Sequence, residues 1–348
     1  VHKREGMIRI GVTSPRITQN EGYGAVEHYR NLGVYHHMEK QMRKPIEVEP
    51  MRGFAIKHGN KLDILHVQNC STEQTLGMIK KAKQMGVKIL LDFDDDLWAI
   101  PVYNHNWLRL VNAGKYATEA CKLADAVIVS THALERRVKQ WCDPVRIPNS
   151  VYWQRQPVAN QPPNVNMLWR GSRSHAIDII EYNNEMLYLM DNSGKVPLVL
   201  WTDDTTATAA ICLDYPDLYT DPKGKWIRQD PIDVLDYFEK MAKDTRPMLT
   251  LVPLYDDDFN KAKSNIAWLE TTLAGGVAVV PKWEEWDNEG ALKYSNKAEF
   301  KQKAMKVLRG EIDVPTYRDR SLTVIERKYN LDKNNWERWK IINTLAGN

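Results

Sequence analysis

Short apolar runs separated by helix-length stretches constrain this chain more than any other feature. "MIRIGVT" (7–13), "LDILHV" (62–67), "VKILLDF" (87–93) and "DAVIVS" (125–130) are short and nearly uniformly apolar. Runs of that kind are strands buried on both faces, as in a parallel sheet. Helical patterns lie between them: one from about Ala25, one through "TEQTLGMIKKAKQM" with a cap near Ser71, one through "YATEACKLA" and one from Thr131 to about Trp141. "VRIPNS" closes the series. Strand alternating with helix implies a doubly wound α/β sheet.

The polar, proline-rich "VYWQRQPVANQPPNVN" breaks the pattern and reads as a linker. The alternation then restarts with "MLWRGS" (167–172), a helix through "DIIEYNNEMLYLM", "PLVLWT" (197–202), "MLTLVP" (248–253), a further helix, and "VAVVP" (277–281). The expected division is therefore 7–152 and 165–325, two Rossmann-like domains, with 326–348 ending in a helix that packs back across them. Two such sheets are expected to face a central cleft with the carboxyl ends of their strands, where ligands of open α/β sheets bind. The chain's 348 residues are enough for this.

Composition narrows the class. Hydrophobic residues at 43% and charged residues at 27% describe a globular chain, and a net charge of +3 neither requires nor excludes a nucleic-acid partner. The four cysteines (Cys70, Cys121, Cys142, Cys212) form no CxxC pair and read as reduced thiols. No run approaches the ~18 apolar residues of a membrane span, and no secretory leader is visible; the expectation is a cytoplasmic protein. The twelve tryptophans suit core, interface or stacking platforms, and composition does not separate these.

One segment carries an unusual charge pattern. In "FNKAKSNIAWLETTLAGG" (259–276) the spacing of Ile266, Leu269 and Leu273 predicts a helix from Lys261 to about Leu273, with Asn260 as N-cap and Gly275-Gly276 as the stop. Glu270 then lies on or beside the apolar stripe, and Lys261 and Lys263 sit in the first turn, where cations oppose the helix dipole unless an anion arrives. With Ser264 beside them, the helix end suits a phosphate or diphosphate. Seven residues of helix rise about 10 Å, the span from a diphosphate to the far side of its ribose. A solvated Lys263 and a structural ion pair at Glu270 form the other reading of the same residues.

Three stretches together resemble a known family. "LVPLYDDDFNKAKSNIAWLETTLAGGVAVV", "LADAVIVSTHALERRV…VRIPNSV" and "MLWRGSRSHAIDI" are similar, in order and spacing, to segments of nucleotide-sugar glycosyltransferases of the GT-B fold, especially the retaining group 1-like enzymes. The resemblance covers most of 7–285. It implies that Glu270 holds the donor ribose and that Lys263 and Ser264 lie near the diphosphate. Asn260 belongs to the same donor-side motif. Many relatives carry a second glutamate early in this helix, where this chain has Ala262 and Lys263. Arg170, Arg173 and His175 of "WRGSRSH" fall where a basic contact to the diphosphate is expected. The two arginines are interchangeable at this level, and His175 either meets the leaving group or caps a helix. Gly22 and Gly24 of "QNEGYGAVEHYR" match a glycine loop facing donor and acceptor.

"LLDFDDDLWAIP" places Asp92, Asp94, Asp95 and Asp96 at a strand end. They satisfy a metal-binding DxD pattern as well as a capping cluster. The resemblance puts a sugar-facing group at about Asp94, where relatives carry histidine, and Asp94 or its neighbour Asp95 is the candidate to accept the acceptor's proton or to support positive charge on the sugar. The expected reaction needs no metal or cofactor, only a nucleoside-diphosphate sugar, with a UDP-sugar favoured. "DFDDDLW" and "FNKAKS" are also similar to glycosyltransferases of tailed phages, some of which modify hydroxymethylated pyrimidines in DNA. That likeness implies a DNA acceptor in a bacterial host's cytoplasm, with Trp98, Trp107 or Tyr103 stacking on a flipped base. A polysaccharide or glycolipid acceptor and a catalytically silent nucleotide- or glycan-binding protein are the alternatives.

Overall fold

The computed structural model describes residues 6–19, 24–55, 58, 61–152, 163–193, 198–202, 226–229 and 231–347. Contacts divide the chain into two units. Unit 1 comprises Val1–Tyr152, Lys261–Ser264 and Tyr329–Asn348; unit 2 comprises Trp153–Asn260 and Asn265–Lys328.

Unit 1 is built on a six-stranded, wholly parallel sheet of order β2-β1-β3-β4-β5-β6. Its strands are β1 (Ile8–Thr13), β2 (Ile46–Pro50), β3 (Ile64–Gln68), β4 (Lys88–Phe93), β5 (Ala126–Val129) and β6 (Val145–Arg146). The alternation of side chains along each strand serves two cores. Leu65, Val67, Ile89, Leu91, Val127 and Val129 point to one. Ile10, Val12, Ile64, Leu90 and Ile128 point to the other, which is closed by Ile342 of the C-terminal helix Leu331–Leu345. That helix is tied down by polar contacts as well: the Asn335 side chain donates to the Val34 carbonyl at 3.0 Å, and Arg338 donates to Asn335 at 2.9 Å.

Unit 2 carries a second parallel sheet of order β12-β11-β10-β7-β8-β9. The strands are β7 (Val165–Arg170), β8 (Leu198–Trp201), β9 (Trp226–Gln229), β10 (Pro247–Leu251), β11 (Val277–Pro281) and β12 (Leu292–Tyr294). Counted within the unit this is the Rossmann order, and the strand order reverses between β7 and β10. In unit 1 the reversal falls between β1 and β3, the flavodoxin-like position.

Two corrections concern elements. The helix bearing Glu270 runs only from Ile266 to Leu273, after a separate turn of helix at Asp258–Lys261. Asn260 therefore does not cap it, and Lys261 and Lys263 precede it rather than occupying its first turn. The reason is tertiary. Ala262 is buried in the core of unit 1 and its carbonyl accepts from Thr131 Oγ1 at 2.9 Å, so this backbone answers to neighbours outside any helix. The C-terminal stop does form: Gly275 has φ 96°, and the Gly275 and Gly276 amides donate to the Thr272 and Thr271 carbonyls at 3.0 Å. Secondly, β2, β9 and β12 have no counterpart among the expected strands. Each lies at a sheet edge.

Candidate functional site

Unit 2 gathers a charged and aromatic cluster at its topological switch point. Arg170 is the last residue of β7 and lies in register with Trp201, the last residue of β8. The guanidinium of Arg170 forms an ion pair with the Glu270 carboxylate, whose side chain is 3% exposed. Tyr237, from the helix Val234–Lys240, donates its hydroxyl to the same oxygen, Glu270 Oε2, at 3.0 Å. The Arg170 guanidinium stands 5.8 Å from the centre of the Tyr237 ring, and Trp201 packs against the same ring at 4.7 Å between centroids. Burial is the largest influence on the Tyr237 hydroxyl and raises its pKa well above the usual value; Glu270 adds to the rise. It therefore stays protonated and donates at neutral pH. Arg170 and Arg173, equivalent in sequence, differ in place: Arg170 joins the cluster, whereas Arg173 is exposed on a single helical turn, Arg173–His175.

His175 belongs to a second arrangement in the same unit. Its Nδ1 lies 2.7 Å from Asp178 Oδ2, and Asp178 is fully buried. The other carboxylate oxygen, Oδ1, accepts from the Tyr255 amide at 2.7 Å and from the Asn260 side chain at 2.9 Å. Asn260 is 2% exposed and its amide also reaches the Tyr255 carbonyl. It braces the segment 255–260 and is not the cap of the Glu270 helix, whose N-cap is Asn265. Asp178 fixes the imidazole of His175 by the same means.

Residues 261–264 belong to unit 1, where Ser264 Oγ accepts from Asn149 Nδ2 at 2.8 Å. Lys263 is half-buried on this segment.

The four aspartates separate cleanly. Asp92 Oδ1 accepts from Arg30 Nε at 3.0 Å and Nη2 at 2.6 Å, with both residues fully buried. Asp96 caps the following turn through the Trp98 amide at 3.1 Å and pairs with Arg137 at 3.2 Å. These two are structural. Asp94 is different: it sits partly open to solvent just beyond β4, and its Oδ1 accepts from Gln68 Nε2 at 2.7 Å and Asn69 Nδ2 at 2.6 Å. Both amides come from the end of β3, beside the switch point of unit 1. Asn69 adopts a left-handed backbone, φ 48°, to bring its side chain there. Desolvation first, and the neighbouring Asp95 carboxylate second, raise the Asp94 pKa to about 7, against the pull of Arg30. Among the described residues no three histidine, cysteine or acidic side chains converge as a metal-binding set.

Of the remaining expected residues, Gly24 opens the helix Ala25–Arg30; its amide donates to Glu27 Oε2 at 3.0 Å, and a Cβ there would fall 2.8 Å from Arg16 Nε. Gly22 and Cys212 lie outside the described residues. Trp98 is not available as a stacking platform for a base: it stacks on Trp141 at 4.8 Å and donates Nε1 to Thr118. His66 is a buried strand histidine whose Nδ1 lies 2.8 Å from the Tyr35 hydroxyl and whose Nε2 stands 3.8 Å from Asp92 Oδ2; burial lowers its pKa to about 4. Sequence reasoning missed Tyr237, Gln68 and Asn69. The adjacent amides in "HVQNCS", directly after a strand, were the available signal for the last two; Tyr237 had none.

The two sheets define the class: this is an α/β chain of the GT-B fold. HepE from Anabaena, solved with UDP, superposes with a TM-score of 0.63 at 11% identity over 97% of this chain and 100% of that one. A glycosyltransferase from Rickettsia africae gives 0.61 at 11%, covering 99% and 100%. A UDP-N-acetylglucosamine 2-epimerase from Rickettsia bellii gives 0.51 at 13%, covering 98% and 97%. No protein-family model and no curated protein matches the sequence.

Proposed function

We propose that this chain is a glycosyltransferase that moves a sugar from a nucleoside diphosphate, UDP by preference, to a hydroxyl acceptor. The observation that carries the reading is the buried Glu270 carboxylate, held by Arg170 and Tyr237 at the switch point of a Rossmann-order sheet. An anionic ligand with a vicinal diol fits such a pair of opposite charges. HepE, which was also solved with UDP and glucose, lends support to the donor class.

In this reading Glu270 accepts the ribose hydroxyls through Oε1, the oxygen opposite the one that Arg170 and Tyr237 share. Arg170, which has five N–H donors, turns part of its fork to the diphosphate. Lys263, Ser264 and Arg173 add to the phosphate contacts, so that fixed cations rather than a metal meet the leaving-group charge. The anomeric C–O bond breaks, UDP leaves, and the acceptor oxygen forms the new bond. Asp94, with Asp95 beside it, either takes the acceptor's proton or steadies positive charge on the ring. His175 donates to the sugar or leaving group, oriented by Asp178, and the glycine loop at Gly22 and Gly24 lies against the donor. For the acceptor we infer a hydroxymethylated pyrimidine in DNA, of the kind tailed phages carry, with polysaccharide or glycolipid as the alternative.

One experiment tests the donor site. UDP is titrated into the wild type and Glu270→Gln, alongside hydrolysis of a panel of nucleotide sugars. The expected result is a Kd for UDP weakened about tenfold in the variant, equivalent to ~1.4 kcal/mol, and donor turnover that falls with it. Unchanged affinity would overturn the assignment. UDP binding without turnover on any donor or acceptor favours the silent binding protein. A gel shift that does not distinguish hydroxymethylated from ordinary DNA removes the DNA acceptor.

A further inference from the structure

The three most exposed large apolar side chains among the described residues lie within ten positions of one another: Val102 is 75% exposed, Leu108 83% and Val111 56%. They are not the tips of a loosely held loop. Directly after them Ala113, Ala117 and Ala120 are fully buried in the core of unit 1, and Leu110 packs against it. Leu108 and Val111 are three apart across one helical turn, Trp107–Leu110 and its cap, so both project from the same side. Tyr103 and Trp107 flank them half-buried.

The charge of the segment is one-sided. Residues 97–118 contain no aspartate or glutamate, while they carry Arg109, Lys115 and His105. Arg109 and Lys115 are exposed, and Arg109 Nη1 is held toward Gln19 at 2.9 Å. Exposed aliphatic tips, half-buried Trp and Tyr, and cations with no carboxylate among them form the pattern that seats at the boundary between headgroups and acyl chains. No helix among the described residues is long and apolar enough to cross a membrane, so the contact is interfacial.

We propose that the segment around Val102, Leu108 and Val111, with Arg109 and Lys115, is a docking surface for an anionic lipid membrane. The aliphatic side chains enter the acyl boundary and the two cations meet lipid phosphates. This holds whatever reaction the chain catalyses, and its failure leaves the donor-site reading untouched.

The test is sedimentation of the full chain with vesicles of phosphatidylcholine alone and of phosphatidylcholine containing phosphatidylglycerol. Binding is expected to the anionic vesicles, at least about tenfold tighter than to the neutral ones, since each cation near such a surface contributes roughly fivefold. It should weaken as salt is raised. The triple variant Val102→Ser/Leu108→Ser/Val111→Ser keeps its thermal transition, because the replaced side chains are exposed, and loses binding. Retention in the supernatant with anionic vesicles, or equal binding by the triple variant, overturns the proposal. So does self-association of the wild type that the triple variant abolishes while no vesicles are bound, which would make this face an interface between copies of the chain.

Discussion

Asp94 is held where its charge is unwelcome, and the two amides beneath it keep it there. Its pKa of about 7, against the usual 3.8, has opposite consequences for stability and for activity. A carboxyl group whose folded pKa lies above its unfolded one stabilises the fold while protonated. That contribution is complete below 3.8 and is lost as pH rises through about 7. Both roles proposed for Asp94 need the carboxylate, so transfer should rise with pH through about 7 just as this stabilisation fades. Asp94→Asn keeps an oxygen for Gln68 and Asn69 and removes the charge. We expect kcat to fall by roughly 10²–10³-fold while the melting temperature at pH 8 rises. A variant with full activity, or with a lowered melting temperature at that pH, would refute the assignment. The same scale shows what residue types alone conceal. Arg170 and Arg173 are equivalent in sequence; only the sheet register, which sets Arg170 against Trp201, brings one of them to Glu270.

Among elements, the segment from Asp258 to Pro281 shows local rules and tertiary contacts each prevailing in turn. The stop at Gly275-Gly276 follows from local chemistry, and the structure adds a reason of its own for the second glycine. A Cβ at Gly276 would fall 2.0 Å from the Pro247 carbonyl oxygen, a backbone atom that cannot turn aside. Gly276→Ala should therefore cost about 3 kcal/mol, the upper range for overpacking, read as a lower denaturant midpoint; a loss below about 1 kcal/mol would show that β10 shifts freely. The start of the helix obeys no local rule. Propensity and periodicity allow it to begin at Lys261, but Ala262 is drawn into the core of unit 1 and its carbonyl into a bond with Thr131. A sequence window cannot contain a partner 131 positions away.

At the scale of the molecule, the C-terminal helix returns to unit 1 and buries a second arginine there. Arg338 is 2% exposed, and burial, with Arg30 nearby, lowers its pKa to about 9. A base with a depressed folded pKa opposes folding wherever it is charged in the native state. The opposition is full below about 9 and fades as pH climbs beyond it toward the ordinary guanidinium range. Arg338→Met keeps most of the side-chain volume and removes the charge. We expect its unfolding free energy at pH 7 to equal or exceed that of the wild type, since replacing buried charge with apolar bulk is commonly neutral or stabilising. A loss of more than about 1 kcal/mol in denaturant would show that the charge is well compensated.

The amino-acid sequence by itself determined the two parallel sheets, their central strands and the helix stop at Gly275. Two-sided burial and helix-end geometry are written into neighbouring residues. It also marked Glu270 as a carboxylate out of place, while Asp94 stood apart from its neighbouring aspartates only through the family resemblance. The tertiary structure alone decided which aspartates are structural, which arginine meets Glu270, where the Glu270 helix begins, and that Tyr237, Gln68 and Asn69 hold the two carboxylates. Each of those outcomes turns on a hydrogen bond or ion pair between residues far apart in the chain, and such a partner is chosen by the fold, not by the residues on either side.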